Sequence, residues 1–168
     1  MPSDADQILI RPFRPEDQSR VKDLILAGLA EHWGVLDSSR NPDLDDITTS
    51  YAGAVFLVAC IGAHLVGTGA LLHRSAETGE IVRMSVEKSL RRKGIGRLIL
   101  NQLLQAARQA GYRQVVLETT TTWQGAVDFY KAYGFQMTHC LHGDQYFQLD
   151  LSHATDPAQT GSQAAQEI

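Results

Sequence analysis

The stretch that most constrains this chain runs from Glu80 to Gln109: a strand-like EIVRMSV, then EKSLRRKGIG, then a helix-patterned RLILNQLLQAARQ. From Ile95 onward the apolar residues recur at helical spacing. Four cations, Arg91, Arg92, Lys93 and Arg97, crowd the place where that helix begins. A helix N-terminus favours anions by about 0.3–1 kcal/mol per charge, so these cations are misplaced unless an anion answers them. A helix starting at Ser89 would carry Gly94 and Gly96 inside it, at about 1 kcal/mol each. A start near Ile95 avoids that cost. It leaves RRKGIG as a strand-to-helix turn with converging backbone N–H groups and no side chain at either glycine. Such a turn binds anions, and the added cations suit a polyphosphate. A solvated basic loop explains neither the glycines nor the placement of the charge.

The basic cluster is local. The chain carries a net charge of −4 and a pI near 5.8, so a nucleic-acid or anionic-membrane partner is not expected. Its 168 residues fit one domain, and 43% apolar with 20% charged content is ordinary for a globular protein. The N-terminus lacks a signal pattern, and no apolar run approaches about 18 residues, which makes a cytoplasmic location the expectation. Cys60 and Cys140 sit in strand-like contexts and are expected as two buried, reduced thiols. No Cys or His spacing suggests a metal site, so no metal is expected.

Alternation and turn residues give the element order. A strand at Ile8–Phe13 precedes a helix opened by Pro15, Glu16 and Asp17, with Val21, Leu24, Ile25 and Leu29 on one face. A loop rich in turn formers follows, with a short helix starting near Asp43. Ala54–Ile61 and His64–Leu72 form a hairpin, Glu80–Val86 the next strand, and 95–110 the long helix. Gln114–Thr120 is a buried strand, WQGAVDFYKAY a helix closed by Gly134, and a last hairpin turns around His142–Asp144. This order is that of a mixed sheet with helices on its faces, in the α/β or α+β range. Residues 1–151 read as a single domain. The segment 152–168 lacks large apolar residues except Ile168 and is expected to be a flexible tail.

Three phosphate-binding turns need separating. A P-loop fails because Gly96 is followed by Arg97 and Leu98 rather than Lys and Ser or Thr. A dinucleotide fingerprint finds Gly94 and Gly96 but meets Ile99 at its third glycine, although Glu118 stands near where a ribose-binding acid belongs. The third pattern, [RQ]xxGx[GA], is met by Arg91 through Gly96. With the strand before it, the helix after it and AVDFYKAYGF further on, the chain resembles the GNAT N-acetyltransferase superfamily from about Ile8 to Leu151.

The resemblance implies a mostly antiparallel sheet of about seven strands, splayed between the fourth and fifth and flanked by helices. It implies acetyl-CoA as co-substrate and a primary amine, on a small molecule or a protein, as acceptor. The backbone of Arg92, Lys93, Gly94, Ile95, Gly96 and Arg97 corresponds to the pyrophosphate cradle, with Arg91, Arg92, Lys93 and Arg97 adding charge. Met84, Ser85 and Val86 correspond to the strand end that meets pantetheine and thioester, with an N–H near Val86 in the oxyanion role. Glu80 is the candidate base, Glu118 the second candidate, and Tyr130 the candidate acid on the thiolate. The family often carries Asn where this chain has Trp123. That contact falls to Thr120–Thr122 or Gln124, or Trp123 is a core anchor. In the family the first two helices and their loop shape the acceptor site. Here that loop holds Glu31, His32, Trp33, Asp37, Asp43, Asp45 and Asp46 with one cation, Arg40. It suits a cationic amine, or is an ordinary acidic surface with Trp33 packed inward. His32 and His73 read as exposed or structural, and a homodimer stays open. A coenzyme A-binding module without catalysis and a nicotinamide-dependent oxidoreductase are the alternatives.

Overall fold

The structure, a computed structural model, describes residues 7–152; the expected tail falls almost wholly outside them. Seven strands form one sheet: β1 (Ile8–Pro12), β2 (Val55–Ile61), β3 (His64–His73), β4 (Thr78–Val86), β5 (Gln114–Thr120), β6 (Gln136–Leu141) and β7 (Asp144–Asp150). Their order is β1-β2-β3-β4-β5-β7-β6, and every pair is antiparallel except β4 with β5. That parallel pair is short. It matches Thr78, Gly79 and Glu80 with Gln114, Val115 and Val116, and then the strands part. The sheet is therefore split, as the family resemblance implies.

Helices cover both faces. α1 (Gln18–Trp33) and the short α2 (Ile47–Ser50) lie on one, α3 (Ile95–Gln109) and α4 (Gln124–Tyr133) on the other. Ile95, Ile99, Leu100, Leu103 and Leu104 of α3 are at most 2% exposed, and their spacing draws one stripe along the helix. Burying each contributes about 1.5–3 kcal/mol. Two glycines of β3 let that stripe approach closely. A Cβ at Gly67 would lie 2.8 Å from Ile99 Cδ1, and one at Gly69 would lie 2.7 Å from Ile99 Cγ2. A smaller core on the opposite face joins Val21, Ile25, Leu44, Ile47, Phe56 and Val58.

Two expectations need correcting. The short helix expected near Asp43 is a single 3-10 turn, Pro42–Leu44, and the α-helix α2 starts later, at Ile47 behind Asp46, whose side chain accepts from the Thr49 N–H. Cys60 is buried, but Cys140 is exposed because β6 is the outermost strand and all of its residues meet solvent. Among the described residues no helix is long and apolar enough to cross a membrane.

Candidate active site

The glycine turn forms an uncapped helix end. α3 starts at Ile95 behind Gly94, which takes φ 85°, a left-handed conformation open to glycine at little cost. Arg92 holds φ 62°, which costs a non-glycine residue about 1–2 kcal/mol. The first intrahelical bond is Leu98 N–H to the Gly94 carbonyl, 3.0 Å, so the N–H groups of Ile95, Gly96 and Arg97 have no partner within the helix. No side chain caps them and no acid stands in the first turn. A Cβ at Gly94 would meet nothing within 4 Å, and one at Gly96 only Phe129 and Val86, at 3.7 Å. The space before these amides is thus left open by the protein, as a bulky anion requires.

The four cations do not behave alike. Arg91 is spent within the protein: its guanidinium donates to Glu31 at 2.7 and 3.1 Å and to the Val86 carbonyl at 3.0 Å. Arg97 lies 5.8 Å from the centre of the Tyr133 ring. Among the described residues no carboxylate pairs with Arg92, Lys93 or Arg97.

This turn sits at the open end of the split sheet, directly after β4. Along β4 the side chains divide between faces. Ile81, Met84 and Val86 join the α3 side, while Val82 packs with the α1-side core and Ser85 Oγ faces Gly28 of α1. Glu80 stands at the apex, opposite Val116 in the last parallel pair. Glu118 lies two residues beyond Val116 on the same face. Both carboxylates border a groove of about 490 Å³ walled by Arg74, Val116, His139 and Tyr146. Arg74 is ion-paired with Glu80. Tyr146 donates its hydroxyl proton to Glu118, a bond that pushes its phenol pKa up, and its ring stacks on His139 at 4.3 Å.

Tyr130 belongs to the other face. It is 8% exposed on α4, ringed by Phe129, Phe135 and Phe147 at 5.1, 5.7 and 6.5 Å. Burial pushes its phenol pKa far up, so it stays protonated at neutral pH. Tyr133, one turn on, donates to Asn101 and ties α4 to α3.

The description "Acetyltransferase (GNAT) family" matches residues 20–135. The chain belongs to the GNAT acetyltransferase family. It is 41% identical over 104 residues to N-acetyltransferase 8 of Rattus norvegicus, covering 57% of this chain and 47% of that protein. N-acetyltransferase 8B of the same species is 40% identical over 113 residues, 62% of this chain and 49% of that one. The chain spans about half the length of the curated relatives it matches. Among solved structures, a GNAT-family acetyltransferase from Staphylococcus aureus superposes with a TM-score of 0.79 at 20% identity, covering 86% of this chain and 99% of that one. The PaiA N-acetyltransferase of Thermoplasma acidophilum, crystallised with coenzyme A, gives 0.75 at 18% identity over 86% and 99%. At these identities the structures share the fold.

The acceptor-side loop of this GNAT chain differs from its sequence reading. Every acid in it is committed to internal structure. Glu31 holds Arg91, Asp45 holds Lys22, and Asp37 and Asp46 accept from the N–H groups of Ser39 and Thr49. Asp43 binds Arg83 at 2.6 and 2.9 Å and accepts from Tyr51 at 2.6 Å. Burial pushes the Asp43 carboxyl up, but the Arg83 and Tyr51 bonds outweigh it and leave it below the usual range. The Tyr51 phenol is pushed up to about 12, by burial first and by Asp43 second. Trp33 is not packed inward; it is 57% exposed, with its edge on His32. Trp123 is no core anchor either. It precedes α4 with its ring 4.9 Å from His32, which also bonds Thr122 at 2.6 Å. These contacts bridge the end of α1 to the loop after β5.

Tyr146, His139 and Arg83 escaped the sequence reading. Tyr146 and His139 acquire a place only through the β5–β7–β6 register, which local pattern does not fix. Arg83 looked like any polar strand residue.

Proposed function

We propose that this chain transfers an acetyl group from acetyl-CoA to a primary amine by direct attack in the split of the sheet. The observation that carries the reading is the uncapped, acid-free N-terminus of α3 standing at the open end of that split. Backbone amides from Arg92 to Arg97, with the Arg92, Lys93 and Arg97 side chains, hold the diphosphate. Met84, Ser85 and Val86 lie along the strand edge that β5 leaves unpaired, where pantetheine amides can take the missing hydrogen bonds. From Val86 to Ile81 the strand runs about 16 Å, so an extended arm anchored at the turn reaches the apex beside Glu80.

When bound, the thioester supplies an activated acetyl group and a thiolate leaving group. The chain's residues then manage two protons. A lysine-like amine is neutral in only about one molecule in 2,500 at pH 7, a handicap of about 4.6 kcal/mol. Glu80 or Glu118, at the groove face of the apex, accepts the amine proton as the N–C bond forms and the C–S bond breaks. Tyr130 approaches from the opposite face and donates a hydrogen bond to the departing thiolate, which takes up the proton that the amine gives up through the carboxylate and solvent. A free thiol has a pKa of about 8.5, well below that of this phenol, so Tyr130 acts mainly by hydrogen-bonding the sulfur until the amine proton is released. Amine entry and thiol departure on opposite faces keep the two proton transfers apart. Glu80, shared with Arg74, and Glu118, shared with Tyr146, are the carboxylates that border the groove, so a cationic amine is drawn to them rather than to the acids of the loop.

Thiol release from acetyl-CoA, measured against a panel of primary amines, tests this. Glu80→Gln or Glu118→Gln is expected to lower the rate by about 100-fold while acetyl-CoA still stabilises the fold to heat. Stabilisation without amine-dependent thiol release would reduce the chain to a binding module. Stabilisation by NAD(H) and not by acetyl-CoA would replace the reading altogether.

A further inference from the structure

Independent restraints meet at the peptide between Arg83 and Met84. The β3–β4 register passes from Thr68 opposite Ser85 to Ala70 opposite Val82, so Arg83 and Met84 together face Gly69 in a bulge. Arg83 sits there at φ 56°, a left-handed conformation that a non-glycine residue keeps only under restraint. On one side, the fully buried Thr68 donates its hydroxyl proton to the Arg83 carbonyl at 2.8 Å, which sets that carbonyl toward β3. On the other, the Arg83 guanidinium is gripped by Asp43 at 2.6 and 2.9 Å and by Asn41 Oδ1 at 3.2 Å. Among the described residues no peptide is cis, so the Met84 N–H lies on the opposite edge of the same planar unit. It points away from β3, toward the side where β4 lost its neighbour after Glu80. The N–H of Val86 lies two residues nearer the phosphate turn, and the Val86 carbonyl is already held by Arg91.

We propose that Thr68 and Arg83 are positioning residues that fix the 83–84 peptide and so aim the Met84 N–H at the carbonyl oxygen of the bound thioester. The proposal rests on the acetyl-transfer reading above and deepens it, by naming the atoms that set its oxyanion donor. A backbone N–H cannot be deleted by mutation; what the sequence controls is its direction. Thr68 sets that direction from inside the sheet. Arg83 sets it from the acceptor side, which couples residues 41–51 to the thioester through one side chain. The left-handed residue lets the peptide turn, and the two sets of bonds stop it from turning back.

Thr68→Val keeps the side-chain shape and removes the donor, whereas Thr68→Ser keeps the donor. The experiment measures kcat with saturating amine, the Kd values of acetyl-CoA and of CoA by titration, and the melting temperature of each variant. Thr68→Val is expected to lower kcat by about tenfold or more, part of the 10²–10³ lost when such a donor is removed outright. CoA affinity stays within about twofold, because CoA has no acetyl carbonyl for the N–H to meet, and the affinity difference between acetyl-CoA and CoA narrows. Thr68→Ser restores both. Arg83→Lys, which keeps the charge but not the paired grip on Asp43, shows the same kcat loss at an unchanged CoA affinity. A Thr68→Val chain with the wild-type kcat, or a loss that Ser does not restore, overturns the proposal. So does an equal fall in affinity for CoA and acetyl-CoA, which marks a packing role. A wild-type chain that binds acetyl-CoA yet releases no thiol with any amine overturns the transfer reading instead. The positioning proposal is then decided by the acetyl-CoA and CoA affinities alone.

Discussion

Two charged regions face each other across the top of the sheet, and they are built on opposite rules. The turn at 91–97 places cations at a helix end that repels them, and three of the four find no carboxylate among the described residues. The loop at 31–46 is as acidic as the turn is basic, yet each of its acids has an internal donor or cation. Charge density alone is therefore a poor guide to ligand sites. An exposed ion pair contributes about 0–1 kcal/mol and a side-chain cap about 0.5–2 kcal/mol, so satisfied charges have a structural explanation that is already sufficient. Unsatisfied charge at an unfavourable place has none, and it marks where something else binds.

The comparison breaks first at the turn. Reversing Arg92 and Lys93 together to Glu is expected to weaken acetyl-CoA binding by about 100-fold or more, since each charge-assisted bond contributes about 1.5–3 kcal/mol. The melting temperature of the free protein should hold or rise, because those side chains pair with no carboxylate among the described residues. A drop in melting temperature at unchanged affinity would put the turn in the same class as the loop.

The next effect lies inside the cleft. Tyr130→Phe should lower kcat by about 10- to 100-fold with acetyl-CoA affinity nearly unchanged. Because burial raises the phenol pKa, its protonated form persists to higher pH than a free tyrosine's. Any alkaline fall in the wild-type rate below pH about 10 then belongs to another group and survives in the Phe variant.

A smaller effect is expected on the acidic side. Asp37→Asn and Asp46→Asn weaken caps and should cost less than about 2 kcal/mol of stability, read by denaturant titration. The KM for a cationic amine should stay within about twofold. A many-fold rise in KM would show that these acids reach the acceptor after all.

The smallest effect is on pH. The folded Asp43 carboxyl lies below its unfolded value of about 3.9, so its contribution to stability is present above about pH 4 and is lost as pH falls through the folded pKa. Asp43→Asn should flatten that acid limb. A variant whose acid limb matches the wild type would remove Asp43 from the account.

The fold was legible because its signals are local. The stripe from Ile95 to Ala107, the glycines at 94 and 134 and the two hairpins each declare themselves within a few residues. The splay between β4 and β5 came from the family resemblance, since nothing in Glu80–Val86 or Gln114–Thr120 says how far two strands will pair. Partner assignments were the least legible. Arg91 reads like Arg92 and Lys93 until Glu31, sixty residues earlier in the chain, is seen beneath it. The acids of the loop read as a field until each is seen with its donor. Arg83 carries no sign in sequence of a left-handed backbone, which arises from a bulge opposite Gly69 and is kept by Asp43, forty residues away.

Amide hydrogen exchange with and without acetyl-CoA tests the central claim most directly, because it reads both regions in one experiment. Slowed exchange is expected at residues 92–97 and 84–86 when acetyl-CoA is added, with the amides of 34–46 unchanged. Slowing confined to 34–46, or none at 94–97, would contradict that claim.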